Sequence, residues 1–356
     1  IAPALPGDPF VSVILAIRNE AGFIERTLTA ILEQDFPRER MEVLIADGES
    51  TDSTRAVIAS LAARSGAPAV AILDNPGRFV SPGLNAALAR ARGDIVVRID
   101  GHTIVERDYV RECVSALLRT GADNVGGRMD PVGQNSLGKA VALATSSPFG
   151  VGGARFHYST EEEWVDTVYL GAWPRAIFDT LGGFDEEQIR NQDDEFNYRL
   201  RERGGRVLLT PRIRSRYFNR GTLGSLWRQY YQYGFWKVRV MQKHPRQMQA
   251  RQFVPAVFVS GWVVLLAGSV FATPARYLLA GAAILYLGAS ATAAASVAGK
   301  KAPRLAPLVM LSFGVLHFAY GAGFLAGLIR FRGRWRKTTA QPLAAHGSGS
   351  STNAPN

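Results

Sequence analysis

No aspartate or glutamate occurs after Glu202. All 30 acidic residues therefore lie in the first 202 positions, with 20 of the 41 Lys and Arg, while residues 203–356 carry the other 21 basic residues. A soluble domain rarely runs so long without carboxylates, whereas a membrane-attached segment with basic loops does. Nucleic-acid binding is excluded, because the basic part consists mostly of long apolar runs rather than a solvated basic face. Cysteine occurs once, at Cys113, which rules out a disulfide framework and a cysteine metal site. Cys113 falls in a helical pattern and reads as a small core residue. The first residues lack a charged stretch followed by an apolar one, so no signal peptide is expected. At 356 residues the chain has room for one large domain plus an appendage, or for two domains.

What is present at the start is an alternation of short apolar runs and helical patterns. Residues 10–16 (FVSVILA), 43–46 (VLIA), 69–73 (AVAIL) and 95–99 (IVVRI) read as strands. Helical spacing separates them, with Thr51 or Asp52 as the expected N-cap of the second helix. This order predicts an α/β fold with a doubly wound, mostly parallel sheet. The four strands end in Arg18 and Glu20, Asp47, Asp74, and finally Asp100-Gly101-His102. Ligands of open α/β sheets gather at such carboxyl ends, so four polar strand ends in succession point to a nucleotide site. A carboxylate and an imidazole two residues apart can share one divalent ion, with Mn²⁺ and Mg²⁺ as candidates. For an isolated strand-end aspartate, turn formation is the commoner role.

The stretches VSVILAIRNE, IADGESTD, LNAALARARGD and IVVRIDGH, in this order, resemble the nucleotide-sugar-binding half of family 2 glycosyltransferases of the GT-A fold. The resemblance implies that Ala16, Arg18, Glu20, Asp47, Asp74, Asn85 and Asp100 bind the nucleotide sugar. It also implies that Asp100 and His102 replace the family's D-x-D pair as metal ligands, with imidazole standing for the second carboxylate. The DGH variant is similar to bacterial exopolysaccharide enzymes of the succinoglycan chain-elongating kind. The glycine-rich stretch 149–156 lacks G-x-G-x-x-G after a strand, so a dinucleotide fingerprint is rejected. It is expected to be a loop, either near the donor sugar or a plain connection.

Downstream, Asp193, Asp194 and Glu195 are expected in the first turn of a helix ended by Gly204-Gly205, where the dipole favours carboxylates. Charge complementarity alone would explain the triplet. The stretch GGFDEEQIRNQDDEFNYRL also resembles the family's acceptor-side segment. That match implies Asp193 as the general base, with Asp194 as the alternative in a register uncertain by one, and Arg199 as the motif's arginine.

Between Arg212 and Arg251 ten basic residues mix with Trp227, Tyr230, Tyr231, Tyr233, Phe235 and Trp236, the composition of a segment lying on an anionic membrane surface. Arg228, Tyr231, Trp236 and Lys237 are expected on the acceptor or interface side; plain interfacial anchoring is the alternative. The faint likeness of Gln232 to Trp236 to the Q-x-x-R-W motif of processive enzymes fails at Phe235, which discounts processive polymerisation. Residues 253–272, 277–298 and 305–329 are uncharged and long enough to cross a bilayer. Gly323 and Gly327 form one G-x-x-x-G, compatible with close helix packing.

The expected organisation is a GT-A catalytic domain over 1–222, a basic aromatic interface segment over 223–252, about three membrane helices over 253–337, and a disordered tail over 338–356. Basic residues before the first span place the catalytic domain in the cytoplasm, at the inner membrane. Three full spans would then put Arg330, Arg332, Arg334, Arg336 and Lys337 outside, against the positive-inside tendency, unless one stretch is re-entrant. The resemblance implies an inverting transferase that moves a sugar from a nucleotide-diphosphate sugar, UDP-linked first, to a polyprenyl-diphosphate-linked saccharide. The competing expectations are a polyprenyl-phosphate sugar synthase, a nucleotidyltransferase on a similar sheet, and a non-catalytic membrane scaffold.

Overall fold

In the computed structural model, which describes residues 1–63, 68–299 and 302–335, the first half alternates strand and helix. β1 (Val11–Ile17), α1 (Ile24–Leu32), β2 (Met41–Asp47), α2 (Thr54–Ala62), β3 (Ala69–Asp74), α3 (Val80–Arg90) and β4 (Ile95–Arg98) follow in order. The Val- and Ile-rich runs of β1, β2 and β4 are buried on both faces, as a helix-covered parallel sheet requires. These strands pair in parallel, in the order β3-β2-β1-β4. The register sets Ile17 beside Asp47 and Asp47 beside Asp74, so the polar strand ends share one edge.

The chain continues through β5 (Thr103–Val105), α4 (Tyr109–Thr120), β6 (Asn124–Val132), α5 (Ser136–Thr145), α6 (Pro148–Val151), β7 (Glu163–Val165), β8 (Tyr169–Pro174), α7 (Ala176–Leu181), α8 (Gln192–Glu202) and β9 (Val207–Phe218). Here the sheet becomes mixed: β8 lies antiparallel between β4 and β6, β6 and β9 are parallel, and β5 and β7 pair antiparallel with β9. The fold class is α/β as expected, with a parallel first half and a mixed second half. One core packs α1, α2 and α4 on one face of the sheet, and a second packs α3, α7 and α8 on the other. Cys113 is buried in the first.

Two local expectations are corrected. Ser53, not Thr51 or Asp52, precedes α2; Asp52 instead accepts from the Thr54 N–H at 3.0 Å, doing a cap's work from one residue further back. The stretch 149–156 is only partly loop, because α6 and a 3₁₀ turn at Arg155–His157 occupy most of it.

The last helices are α9 (Leu223–Lys243), α10 (Val254–Phe271), α11 (Thr273–Ala298) and α12 (Ala306–Arg330). The last three are long and apolar enough to cross a membrane. Gly323 and Gly327 do serve close packing, but their partner is α9: a Cβ at either position would strike the carbonyl oxygens of Tyr231 and Phe235 respectively. Lys300, Lys301, Arg336, Lys337 and the expected tail at 338–356 lie outside the described residues.

Candidate active site

The site forms where the carboxyl ends of the parallel strands meet the start of α8. β4 ends at Arg98, whose side chain is 4% exposed and sits inside the sheet. Its Nε and Nη2 each donate to Asp100 Oδ1 at 3.0 Å. The Thr103 N–H donates to the Asp100 carbonyl at 3.0 Å and closes the turn into β5. Gly101 is needed there, because a Cβ would press on Ile17 and Glu20. His102 Nδ1 lies 3.1 Å from Glu20 Oε1, and its ring meets Tyr217 edge-on with centroids 5.8 Å apart. A proton on Nδ1, shared with Glu20, leaves the Nε2 lone pair as the imidazole's outward ligand atom.

The turns after β1 and β2 are stitched to each other. Asn19 holds a left-handed φ of 54°, and its Oδ1 accepts from the Thr51 N–H at 2.8 Å. Thr54 Oγ1 accepts from the Glu20 N–H at 2.9 Å. Buried Asp47 accepts from the Ser50 N–H at 3.2 Å and from Arg55 Nη1 at 3.1 Å. Arg55 Nη1 also donates to Asp74 at 2.9 Å, so one guanidinium joins the ends of β2 and β3. Arg18 is exposed beside Gly48, and Ala16 is half-buried against Gly83.

α8 starts after Asn191, whose left-handed φ of 61° turns the chain into the helix. Its three acids have different partners. Asp194 forms an ion pair with Lys237 of α9, whose ammonium also lies over the Tyr198 ring. Glu195 accepts from Arg199 at 2.9 and 3.1 Å and lies 3.1 Å from His244 Nε2. Asp193 accepts the Asp194 N–H at 3.0 Å, and among the described residues no cation pairs with it. Desolvation first, then the neighbouring Asp194 charge, push its carboxyl up to about 6 against the opposing pull of Arg98. Arg98 thus feels both Asp100 and Asp193, and its buried Nη1 has no hydrogen-bond partner.

Two expected site residues have polar groups engaged within the fold. Asn85 Nδ2 donates to the Phe184 carbonyl at 2.8 Å and its Oδ1 accepts the Phe184 N–H at 2.7 Å. It ties α3 to the loop after α7. Arg199 is buried, and besides Glu195 it donates to the carbonyls of Leu181 and Gly183 at 2.7 and 2.8 Å. It is an internal clamp, with four hydrogen bonds from its guanidinium made inside the fold. Trp236 packs on Phe235 and Phe331, Tyr231 is half-buried, and Arg228 is exposed on α9.

Two features escaped the sequence reading. Arg98 carried a signal, a lone charge inside an apolar strand and on the same strand face as Asp100. The pairing of Glu20 with His102 carried none, since 82 residues separate them.

The model for "Glycosyl transferase family 2" matches residues 12–178. The chain is 32% identical over 330 residues to the succinoglycan biosynthesis protein ExoA of Rhizobium meliloti strain 1021, covering 90% of this chain and 96% of that one. The chain belongs to glycosyltransferase family 2. This family 2 glycosyltransferase is also 29% identical over 240 residues to a Methanococcus voltae enzyme, "Dolichyl N-acetyl-alpha-D-glucosaminyl phosphate 3-beta-D-2,3-diacetamido-2,3-dideoxy-beta-D-glucuronosyltransferase", covering 66% of this chain and 74% of that one. Among solved structures, the mannosyltransferase PcManGT from Pyrobaculum calidifontis, in complex with GDP-Man and Mn²⁺, superposes with a TM-score of 0.65 at 22% identity, covering 92% of this chain and 89% of that one. The fold is GT-A-like, and the scaffold reading gives way to an enzyme.

Proposed function

We propose that this glycosyltransferase is an inverting, metal-assisted enzyme that moves a sugar from a nucleotide-diphosphate sugar to a hydroxyl of a lipid-linked saccharide for cell-surface polysaccharide. One observation carries the reading: Asp193, without a paired cation among the described residues, lies within electrostatic reach of both Asp100 and buried Arg98, and its pKa is raised to about 6. A general base works best with a pKa near the operating pH, and a carboxylate left without a cation can take a proton. Asp194 is the weaker candidate, because its carboxylate is engaged in the ion pair with Lys237.

In this mechanism the nucleotide lies over the stitched turns at 18–21 and 47–54, with Arg18, Glu20, Asp47 and Asp74 around it. Asp193 takes the proton of the acceptor hydroxyl as that oxygen attacks the anomeric carbon. The bond from the anomeric carbon to the β-phosphate oxygen breaks on the opposite face, its electron pair stays on the diphosphate, and a nucleoside diphosphate leaves. Asp100 and His102 would hold a divalent cation, since Mg²⁺-type sites use few protein ligands. A cation held there would neutralise charge on the departing diphosphate. An acceptor that is already an ionised lipid phosphate would not need Asp193, so the base favours a hydroxyl acceptor over the polyprenyl-phosphate alternative.

Residues 1–222 form the proposed catalytic domain, α9 and the basic turns to residue 252 the interface, and the helices beyond it the membrane attachment, with the catalytic domain in the cytoplasm. UDP-sugars are the first donors to test and GDP-mannose the next. Thermal shifts of the full chain with each donor, with and without Mn²⁺, followed by nucleoside diphosphate release, test the reading. Stabilisation by one nucleotide sugar that depends on Mn²⁺ is expected and should be lost in His102→Ala. Release of pyrophosphate, or donor binding indifferent to both the metal and His102, overturns it.

A further inference from the structure

α10, α11 and α12 all pass as membrane spans by length and composition, yet they stand in different surroundings. Only 11% of the most apolar window of α10 or of α11 is buried within the protein, against 44% for α12. The tip of the α10–α11 hairpin is bare, with Phe271 88% exposed and Tyr277 75% exposed. The hairpin meets α12 along its basal half, where Gly321 closes on Pro255, Phe258 and Tyr286 lie against His317 and Phe318, and Trp262 lies against Phe318.

α12 instead runs beside α9 along its whole length and in the same direction. Leu226 shares a cluster with Phe313 and Leu316. Further along, Tyr231 closes on Gly323 and Phe235 on Gly327, and Gln242 Nε2 donates to the Phe331 carbonyl at 2.9 Å. α9 is itself fastened to the catalytic body by Lys237–Asp194, Arg239–Glu187 and Lys243–Asp185.

Both ends of α12 touch the water-soluble half. Near its start, Phe313 and Val309 pack on Ala140 and Ala144 of α5, and His317 Nε2 lies 2.7 Å from the Phe149 carbonyl. At its end, Arg334 Nη1 lies 3.0 Å from Glu187, and the Arg334 carbonyl accepts from Arg239 at 3.0 Å. A 25-residue helix is about 37 Å long. Were it to cross a hydrocarbon core about 30 Å thick, one end would be carried away from the catalytic domain.

We propose that α12 does not cross the membrane but lies in its plane against α9, so that the chain enters the lipid only through the α10–α11 hairpin and the basic residues after α12 stay on the catalytic face. The bilayer is the partner, and the chain's charge agrees with it. Arg304 before α12 and Arg330, Arg332 and Arg334 after it then face the same anionic surface, and the conflict with the positive-inside tendency disappears. The inference rests on the membrane attachment proposed above, and its test separates the two.

Single cysteines are introduced as Asp8→Cys in the catalytic domain and, separately, Arg332→Cys and Trp335→Cys, in the full chain. Cys113 is buried and serves as the unlabelled background. Inside-out and right-side-out vesicles that retain the protein after alkaline carbonate washing are exposed to a membrane-impermeant maleimide. Positions 8, 332 and 335 should all label in the same vesicle orientation, with loss of labelling in the opposite one. Labelling of both 332 and 335 from the face opposite to 8 overturns the in-plane assignment while leaving attachment intact. Release of the protein by carbonate overturns both.

Discussion

Lys237 of α9 forms a buried ion pair with Asp194 of α8, across 43 residues of sequence. The contact ties the interface helix to the residue next to the proposed base. Burial alone would depress the lysine, but Asp194 and the Tyr198 ring hold it above its ordinary range. Lys237→Met leaves Asp194 without its partner, and breaking a buried pair by removing one member costs about 3–5 kcal/mol. Thermal unfolding in detergent should show that loss, and Asp194→Asn combined with Lys237→Met should recover most of it. Equal destabilisation in single and double variants would show that the pair itself contributes nothing.

Asp193→Asn removes the base while keeping shape and hydrogen bonding. Turnover should fall about 10²–10⁴-fold, the usual range for a lost general base. Donor affinity, measured by calorimetry, should stay within about twofold, because a base that acts only in the transition state adds little to ground-state binding. A comparable loss in donor affinity would make Asp193 a donor-binding group.

The proton balance fixes the sign of the pH dependence. A base with its pKa raised to about 6 is inactive when protonated, so kcat/KM should rise about tenfold per pH unit below 6 and level off above it. Arg98 stabilises the charged form of Asp193, so Arg98→Met should move that limb to higher pH. Asp194→Asn removes a like charge and should move it lower. A limb that stays in place in both variants would assign it to another group.

Gly323→Val drives a side chain into the Tyr231 carbonyl on α9. Overpacking a tight contact costs about 1–3 kcal/mol, so the melting temperature in detergent should drop. Gly314→Val, at a position on the same helix with nothing near its Cβ, should leave it almost unchanged. Equal effects of the two would show that helix propensity, not the α9 contact, is responsible.

Local chemistry made much of the molecule readable from the chain alone. Apolar runs of Val and Ile located β1 to β4, since a strand buried on both faces tolerates little else, and the polar residues closing them marked the site edge. The acid-free half after Glu202 and its three uncharged stretches located three helices long and apolar enough to cross a membrane, since lipid excludes carboxylates. Neighbouring Asp193, Asp194 and Glu195 looked equivalent in sequence, however. Only tertiary contacts separate them, by delivering Lys237 to one, Arg199 and His244 to another, and no cation to the third. The internal hydrogen bonds of Arg199 and Asn85 likewise come only from the tertiary fold. Length and hydropathy made α10, α11 and α12 alike, since both are properties of the segment. Which of them packs against the rest of the chain depends on contacts with α9 and α5, and no local sequence signal encodes those distant partners.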